Sequence, residues 1–170
     1  MGTWLVRLFW ALAILYAGLV AWAAGVLPDR VPAHWGSSGP PDRWASRTEA
    51  LVMLVVLGLI MVGIFGSLIV LLPRSRSLAW VNIPNKWYWE RPENLPRAMR
   101  MITGDLAVLG CLSMAFICVV PVSIVQASRT ADAALPSWTL PAIVAYLVLI
   151  IGYVIWMVAA RWHPPDARPR

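Results

Sequence analysis

Charge is scarce in this 170-residue chain: 13% of its residues are Asp, Glu, Lys or Arg, while 60% are hydrophobic. That balance excludes an ordinary soluble domain, where roughly a quarter of residues are charged. Histidine and cysteine each occur only twice. Cys111 and Cys118 are separated by two helical turns, so they share a face but cannot bridge each other. They read as small buried hydrophobes and say nothing about redox compartment. No Ser-His-Asp set, HExxH, CxxC or glycine-rich phosphate loop is present. An enzyme reading therefore has no motif behind it, and no catalytic residue, metal or cofactor is expected.

What is present is a set of long apolar runs. Leu8–Leu27, Ala50–Leu72, Leu106–Ser128 and Ala133–Ala160 carry no formal charge. Each reaches the roughly 20 residues needed to cross about 30 Å of hydrocarbon. Backbone groups in lipid must be satisfied within the segment, so these runs predict an all-α membrane protein, a four-helix transmembrane bundle forming one domain. The spans fall at about 5–27, 49–72, 101–127 and 137–160, with a proline-rich outer loop at 28–48 and an inner loop at 73–100.

The cations set the orientation. Arg7, Arg74, Arg76, Lys86, Arg91, Arg97, Arg100, Arg161, Arg168 and Arg170 fall on one side, and Arg30, Arg43, Arg47 and Arg129 on the other. The richer side should be cytoplasmic, which places both termini and the central loop there and loop 28–48 outside. The net charge of +6 then suits anionic headgroups. It does not suggest nucleic acid, because the basic residues flank helices and form no groove-sized patch. Trp4, Trp10, Trp156 and Trp162 should form the inner aromatic belt, and Trp22, Trp35, Trp44 and Trp138 the outer one.

Arg7, the apolar run behind it and Ala21-Trp22-Ala23 also fit a cleavable signal peptide. The run is long for that role, and Ala13, Ala17, Ala21 and Gly25 form a small-residue stripe suited to close helix approach. A retained first helix is the preferred reading, with the stripe serving the bundle or a homodimer.

Loop 28–48 holds Pro28, Pro32 and the turn signal Gly39-Pro40-Pro41-Asp42, so a compact irregular loop is expected, with Trp35 and Trp44 dipping into the interface. Thr48 should cap the second helix, which should end at Pro73. In the inner loop, Asn82-Ile83-Pro84-Asn85 should turn the chain, and Trp80, Trp87, Tyr88 and Trp89 should rest at headgroup level. Asn94 should cap a helix that tolerates Pro96 in its first turn. Pro121 should kink the third span, Ser137 should cap the fourth, and the tail 161–170 should be disordered.

Two groups of side chains invite a chemical reading. Asp105 is the one carboxylate near membrane depth, and Arg7 sits at similar depth, so an Arg7–Asp105 ion pair should pin the first helix to the third. His34 lies near Asp29 and Asp42 in sequence. It could serve as a base or a metal ligand, although a hydrogen-bonded structural histidine is the more ordinary reading. His163 falls on the opposite side and cannot complete such a site.

The loop pattern L-P-D-R-V-P-x-H-W…G-x-P-D-R-W-x-S, with Pro28, Pro32, His34, Gly39, Asp42 and Trp44 at the matching positions, resembles the domain-of-unknown-function 1648 family of bacterial integral membrane proteins. Asn82, Pro84, Asn85, Tyr88, Trp89, Pro92 and Glu93 are similar to the N-x-P-N-x-x-Y-W…P-E motif of its four-span members. The first unit is also similar to that of SdpI-type immunity proteins, which implies a plasma-membrane protein with an immunity or signalling role.

The leading function class is a binding or accessory protein that meets a peptide, lipid or protein partner through Pro32, His34, Trp35, Gly39, Asp42 and Trp44. A small transporter is the first alternative, opposed by the lack of a mid-membrane acid and by the single-orientation charge bias. An outward-facing metal-dependent enzyme is the second.

Overall fold

The computed structural model describes residues 2–36, 39–75 and 77–164; Arg76, Arg168, Arg170 and the rest of the tail beyond Pro164 lie outside these. In chain order the elements are α1 (Gly2–Val26), β1 (Arg30–Trp35), β2 (Pro41–Ser46), α2 (Arg47–Ser75), the one-turn α3 (Lys86–Trp89), α4 (Leu95–Ala127) and α5 (Thr139–Arg161). Among the described residues four helices, α1, α2, α4 and α5, are long and apolar enough to cross a membrane, as the charge-free runs predict.

The bundle is built around α4. Half of its most apolar stretch is buried, against none of the corresponding stretch of α5. α1 lies parallel to α4, with the fully buried Phe9 seated where Gly110 presents no side chain. The Cys111 thiol donates to the Leu5 carbonyl at 3.4 Å and the Cys118 thiol to the Leu12 carbonyl at 3.9 Å. Both pairs repeat after seven residues, so one register is held over two turns. The cysteines are free, as expected, and their thiols also line the helix contact.

α2 closes on α1 through Tyr16, whose hydroxyl donates to the Leu54 carbonyl at 2.6 Å. The ring lies so close to Gly58 that a Cβ there would fall 2.5 Å from Tyr16 Cε1. Midway along, α2 takes a π-helical turn over Val62–Gly66, where the Ser67 hydroxyl donates to the Gly63 and Ile64 carbonyls. Proline does not end this helix: Pro73 lies inside its last turn, and the helix continues to Ser75 despite the missing N–H and the crowding of the carbonyl four residues back.

The segment expected as an irregular loop is an antiparallel β-hairpin, set within an otherwise helical fold. Arg30 pairs with Ser46, Val31 with Ala45, Pro32 with Trp44, His34 with Arg43 and Trp35 with Pro41, with irregularities on either side of His34. The prolines are compatible with the pairing because Pro41 opens its strand and Pro32 borders the irregular step, positions where a ladder N–H is dispensable. Gly39, with φ of +95°, lies in the turn. Val31 packs against Ala23, Leu27 and Ala50 at the ends of α1 and α2, and its strand partner Ala45 is buried as well.

The hairpin runs directly into α2, so Ser46 rather than Thr48 is the cap, its hydroxyl accepting from the Glu49 N–H at 3.1 Å. Likewise α5 begins beyond Ser137, with the Thr139 N–H donating to the Pro136 carbonyl at 2.9 Å. Pro96 stands in the first turn of α4, and Asn94 holds the cap position but sends its side-chain amide to the Tyr88 carbonyl. α4 runs unbroken through Pro121. Of the small-residue stripe on α1, Ala13 packs against the core while Ala17, Ala21 and Gly25 are exposed.

Adding a methyl group at Gly58 forces Tyr16 away from Leu54. Gly58→Ala should lower stability by about 1–3 kcal/mol. In detergent this should appear as a fall of several degrees in the thermal midpoint, while Gly63→Ala, where a Cβ meets nothing within 4 Å, leaves it in place. Equal midpoints for the two variants would contradict the packing.

Candidate functional site

α5 is attached to α4 by hydroxyl groups rather than by apolar interdigitation. Thr139, Tyr146 and Tyr153 recur every seven residues, so they share one face of α5. Thr139 Oγ1 lies 3.1 Å from Ser123 Oγ, Tyr146 OH lies 3.4 Å from Ser113 Oγ, and the Tyr153 hydroxyl donates to Asp105 Oδ1 at 2.8 Å. The Tyr146 ring also stacks on Phe116, with centroids 4.3 Å apart and planes within 8°. Each hydroxyl finds a partner that hydrocarbon does not supply.

This arrangement corrects the expected Arg7–Asp105 pair. Asp105 Oδ1 contacts Arg161 Nε at 2.6 Å. Helix geometry gives the reason: Ala107, Cys111, Met114 and Cys118 turn towards α1, and Asp105 stands two residues from Ala107, about 200° around the helix. Asp105 therefore faces α5, which supplies Arg161. The contact is coulombic, since the Nε–H is not aimed along it, and Asp105 Oδ2 meets no donor among the described residues.

The tryptophan-rich motif is a clasp on the end of α5. Asn85, in the left-handed conformation with φ of 56°, donates its side-chain amide to the Trp162 carbonyl at 3.0 Å. Trp89 Nε1 donates to the same oxygen at 3.2 Å, and its ring meets that of Trp162 edge-on at 5.4 Å. Both rings are buried, so neither joins the interfacial belt expected of it. Tyr88 packs edge-on against Trp87 and Trp89. Pro84 is half-buried, and Asn82 is exposed.

At the other end the hairpin reaches across the bundle. Trp35 Nε1 donates to the Ala133 carbonyl at 2.8 Å, tying the hairpin to the α4–α5 connector. Ala133 has a positive φ of 50° in that turn. Beside it, hydrogen bonds from the Ala134 N–H and the Thr130 hydroxyl hold the Asp132 carboxyl below the usual carboxylate range. Under this bridge lies a cavity of about 390 Å³, roofed by Pro32 and Trp35 and walled by Met53, Leu54 and Leu57 of α2, Phe116 and Val119 of α4, and Leu135 and Ile143 around the start of α5. Its polar side chains are Ser123 and Thr139, which bond to each other.

The outer-loop candidates thus divide. Pro32 and Trp35 face the cavity. His34 Nδ1 and Asp42 Oδ1 are 2.6 Å apart at the exposed surface, and among the described residues no third metal-ligating side chain joins them. Trp44 lies under the Arg30 guanidinium at 4.5 Å, and Gly39 stays in the turn.

A family model described as a domain of unknown function, DUF1648, matches residues 11–59. Residues 11–59 are therefore similar to a DUF1648 domain. No curated protein and no solved structure matches the chain. The cavity residues of α2, α4 and α5 were missed in the sequence because they read as ordinary span residues; the heptad spacing of Thr139, Tyr146 and Tyr153 was the available signal.

Removing Arg161 leaves the Asp105 carboxylate without its cation at a buried site. Arg161→Gln should cost about 1–3 kcal/mol, and Arg7→Gln less than about 0.5 kcal/mol. Thermal unfolding in detergent separates them: a larger loss for Arg7→Gln would restore the pairing corrected above.

Proposed function

We propose that this chain is a membrane-embedded binding protein that takes up a lipid acyl chain beneath its hairpin. The observation behind the proposal is the cavity itself. Its size lies within the range of about 300–1,000 Å³ usual for ligand sites, and its lining is almost wholly apolar. A polar ligand would strip water from its own groups without replacement, whereas an acyl chain loses nothing on entry. The Trp35–Ala133 hydrogen bond holds the roof in place over the opening between α2 and α5.

By the distribution of cations the hairpin faces outward from a bacterial plasma membrane and both ends are cytoplasmic. The cavity then sits at outer-leaflet depth. An accessory role of the immunity or signalling kind fits a protein that engages a lipid or a lipid-bearing partner on that side, with His34, Asp42 and Trp44 on the exposed face to meet its headgroup or body. The reading is of a binder rather than an enzyme, because His34 and Asp42 are engaged with each other in the open. Transport is the weaker alternative, since Asp105, the acid it would use, is held by Arg161 and Tyr153 at one end of α4.

A photoactivatable phosphatidylcholine, delivered from outside to intact spheroplasts, should crosslink to the Met53–Leu57 segment. Val119→Trp, which fills the cavity, should reduce that crosslinking roughly tenfold, equivalent to about 1.4 kcal/mol. Absence of crosslinks there, or yields indifferent to Val119→Trp, would overturn the reading.

A further inference from the structure

The second cavity lies at the end of the bundle opposite the hairpin, and its chemistry is different. It has a volume of about 930 Å³, and its walls come from the start of α1, the start of α4 and the end of α5. Four arginines line it, Arg7, Arg97, Arg100 and Arg161, and the Arg97 guanidinium also lies over the Trp89 ring at 5.8 Å. Of these, Arg161 is matched by Asp105. Arg7, Arg97 and Arg100 meet no carboxylate within ion-pair distance among the described residues. The floor is apolar, made by side chains such as Leu5, Val6 and Val108.

Exposed arginines at a membrane boundary normally spread into water, where their mutual repulsion is screened. Here Arg7, Arg97 and Arg100, each exposed, come from two helices and line one recess beside a low-dielectric floor, where like charges repel more strongly. An anion relieves that repulsion, and guanidinium groups suit phosphate because each can donate two parallel hydrogen bonds. The apolar floor selects among phosphate-bearing ligands. A free phosphate or a nucleotide leaves the half-buried Val6 and Val108 facing water, whereas a phospholipid covers them with its chains.

We infer that this recess is a binding site for the headgroup of an anionic phospholipid, with Arg7, Arg97 and Arg100 on its phosphate and the acyl chains running down between α1 and α5. The site is separate from the acyl cavity under the hairpin and does not rest on it.

The test uses the full chain purified in mild detergent and offered phosphatidylglycerol or phosphatidylcholine, with bound lipid counted by native mass spectrometry. Phosphatidylglycerol should be retained in preference, falling roughly fivefold for each of Arg7→Gln and Arg100→Gln. Arg7→Lys, which keeps the charge and guards against a folding artefact, should retain most of the binding. Arg91→Gln, a basic residue outside the recess stacked on Trp87, should leave retention unchanged, as should Val119→Trp in the other cavity. Equal retention of the two lipids, or an equal loss with Arg91→Gln, would overturn the site. Displacement of phosphatidylglycerol by millimolar inorganic phosphate would overturn the lipid as its occupant.

Discussion

Hydrocarbon offers no hydrogen-bond partner, and this constraint decides which helix faces which in the molecule. The spans contain few polar side chains, and the protein matches them to one another. Tyr16 reaches the Leu54 carbonyl, and Ser123, Ser113 and Asp105 take Thr139, Tyr146 and Tyr153. Individually such bonds contribute only about 0.6 kcal/mol in a membrane. Their importance lies in register: they hold α5 on α4 while it buries little apolar surface of its own.

Both cavities follow from that placement. Because the hydroxyl face of α5 is committed to α4, α5 does not close down onto α2 at the hairpin end or onto α1 at the other. The space near α2 is apolar because Met53, Leu54, Leu57, Phe116 and Ile143 turn into it. The space near α1 is cationic because helix starts and ends gather arginines at the boundary. One device therefore yields an acyl-shaped opening at one depth and a phosphate-shaped one at the other.

The spans were legible because length and lack of charge determine them with little help from tertiary structure. The hairpin was not, since its prolines and turn signal speak against helix, and no apolar–polar alternation of strand length follows Arg30–Trp35 to mark a partner. Only the pairing shows that Pro41 opens β2 and that Pro32 borders an irregular step. The partner of Asp105 was misread for a related reason. Depth along the membrane can be counted from sequence, and by depth Arg7 and Arg161 are equivalent, but the side of the helix depends on what α4 packs against. The tryptophan motif was legible as unusual, whereas its grip on Trp162 joins residues more than 70 positions apart. Of the loop candidates, Pro32 and Trp35 line the cavity, and the rest of its lining comes from span residues that carry no individual signature.

The central claim is the register of α5 on α4, and an engineered disulfide reads it most directly. In a chain carrying Cys111→Ala and Cys118→Ala, the pair Ser123→Cys and Thr139→Cys should oxidise readily, because the native oxygens lie 3.1 Å apart. The pair Ser123→Cys and Tyr146→Cys, displaced by one heptad, should stay reduced. Bridging by the displaced pair, or none by the first, would contradict the hydroxyl register and with it the walls of both cavities.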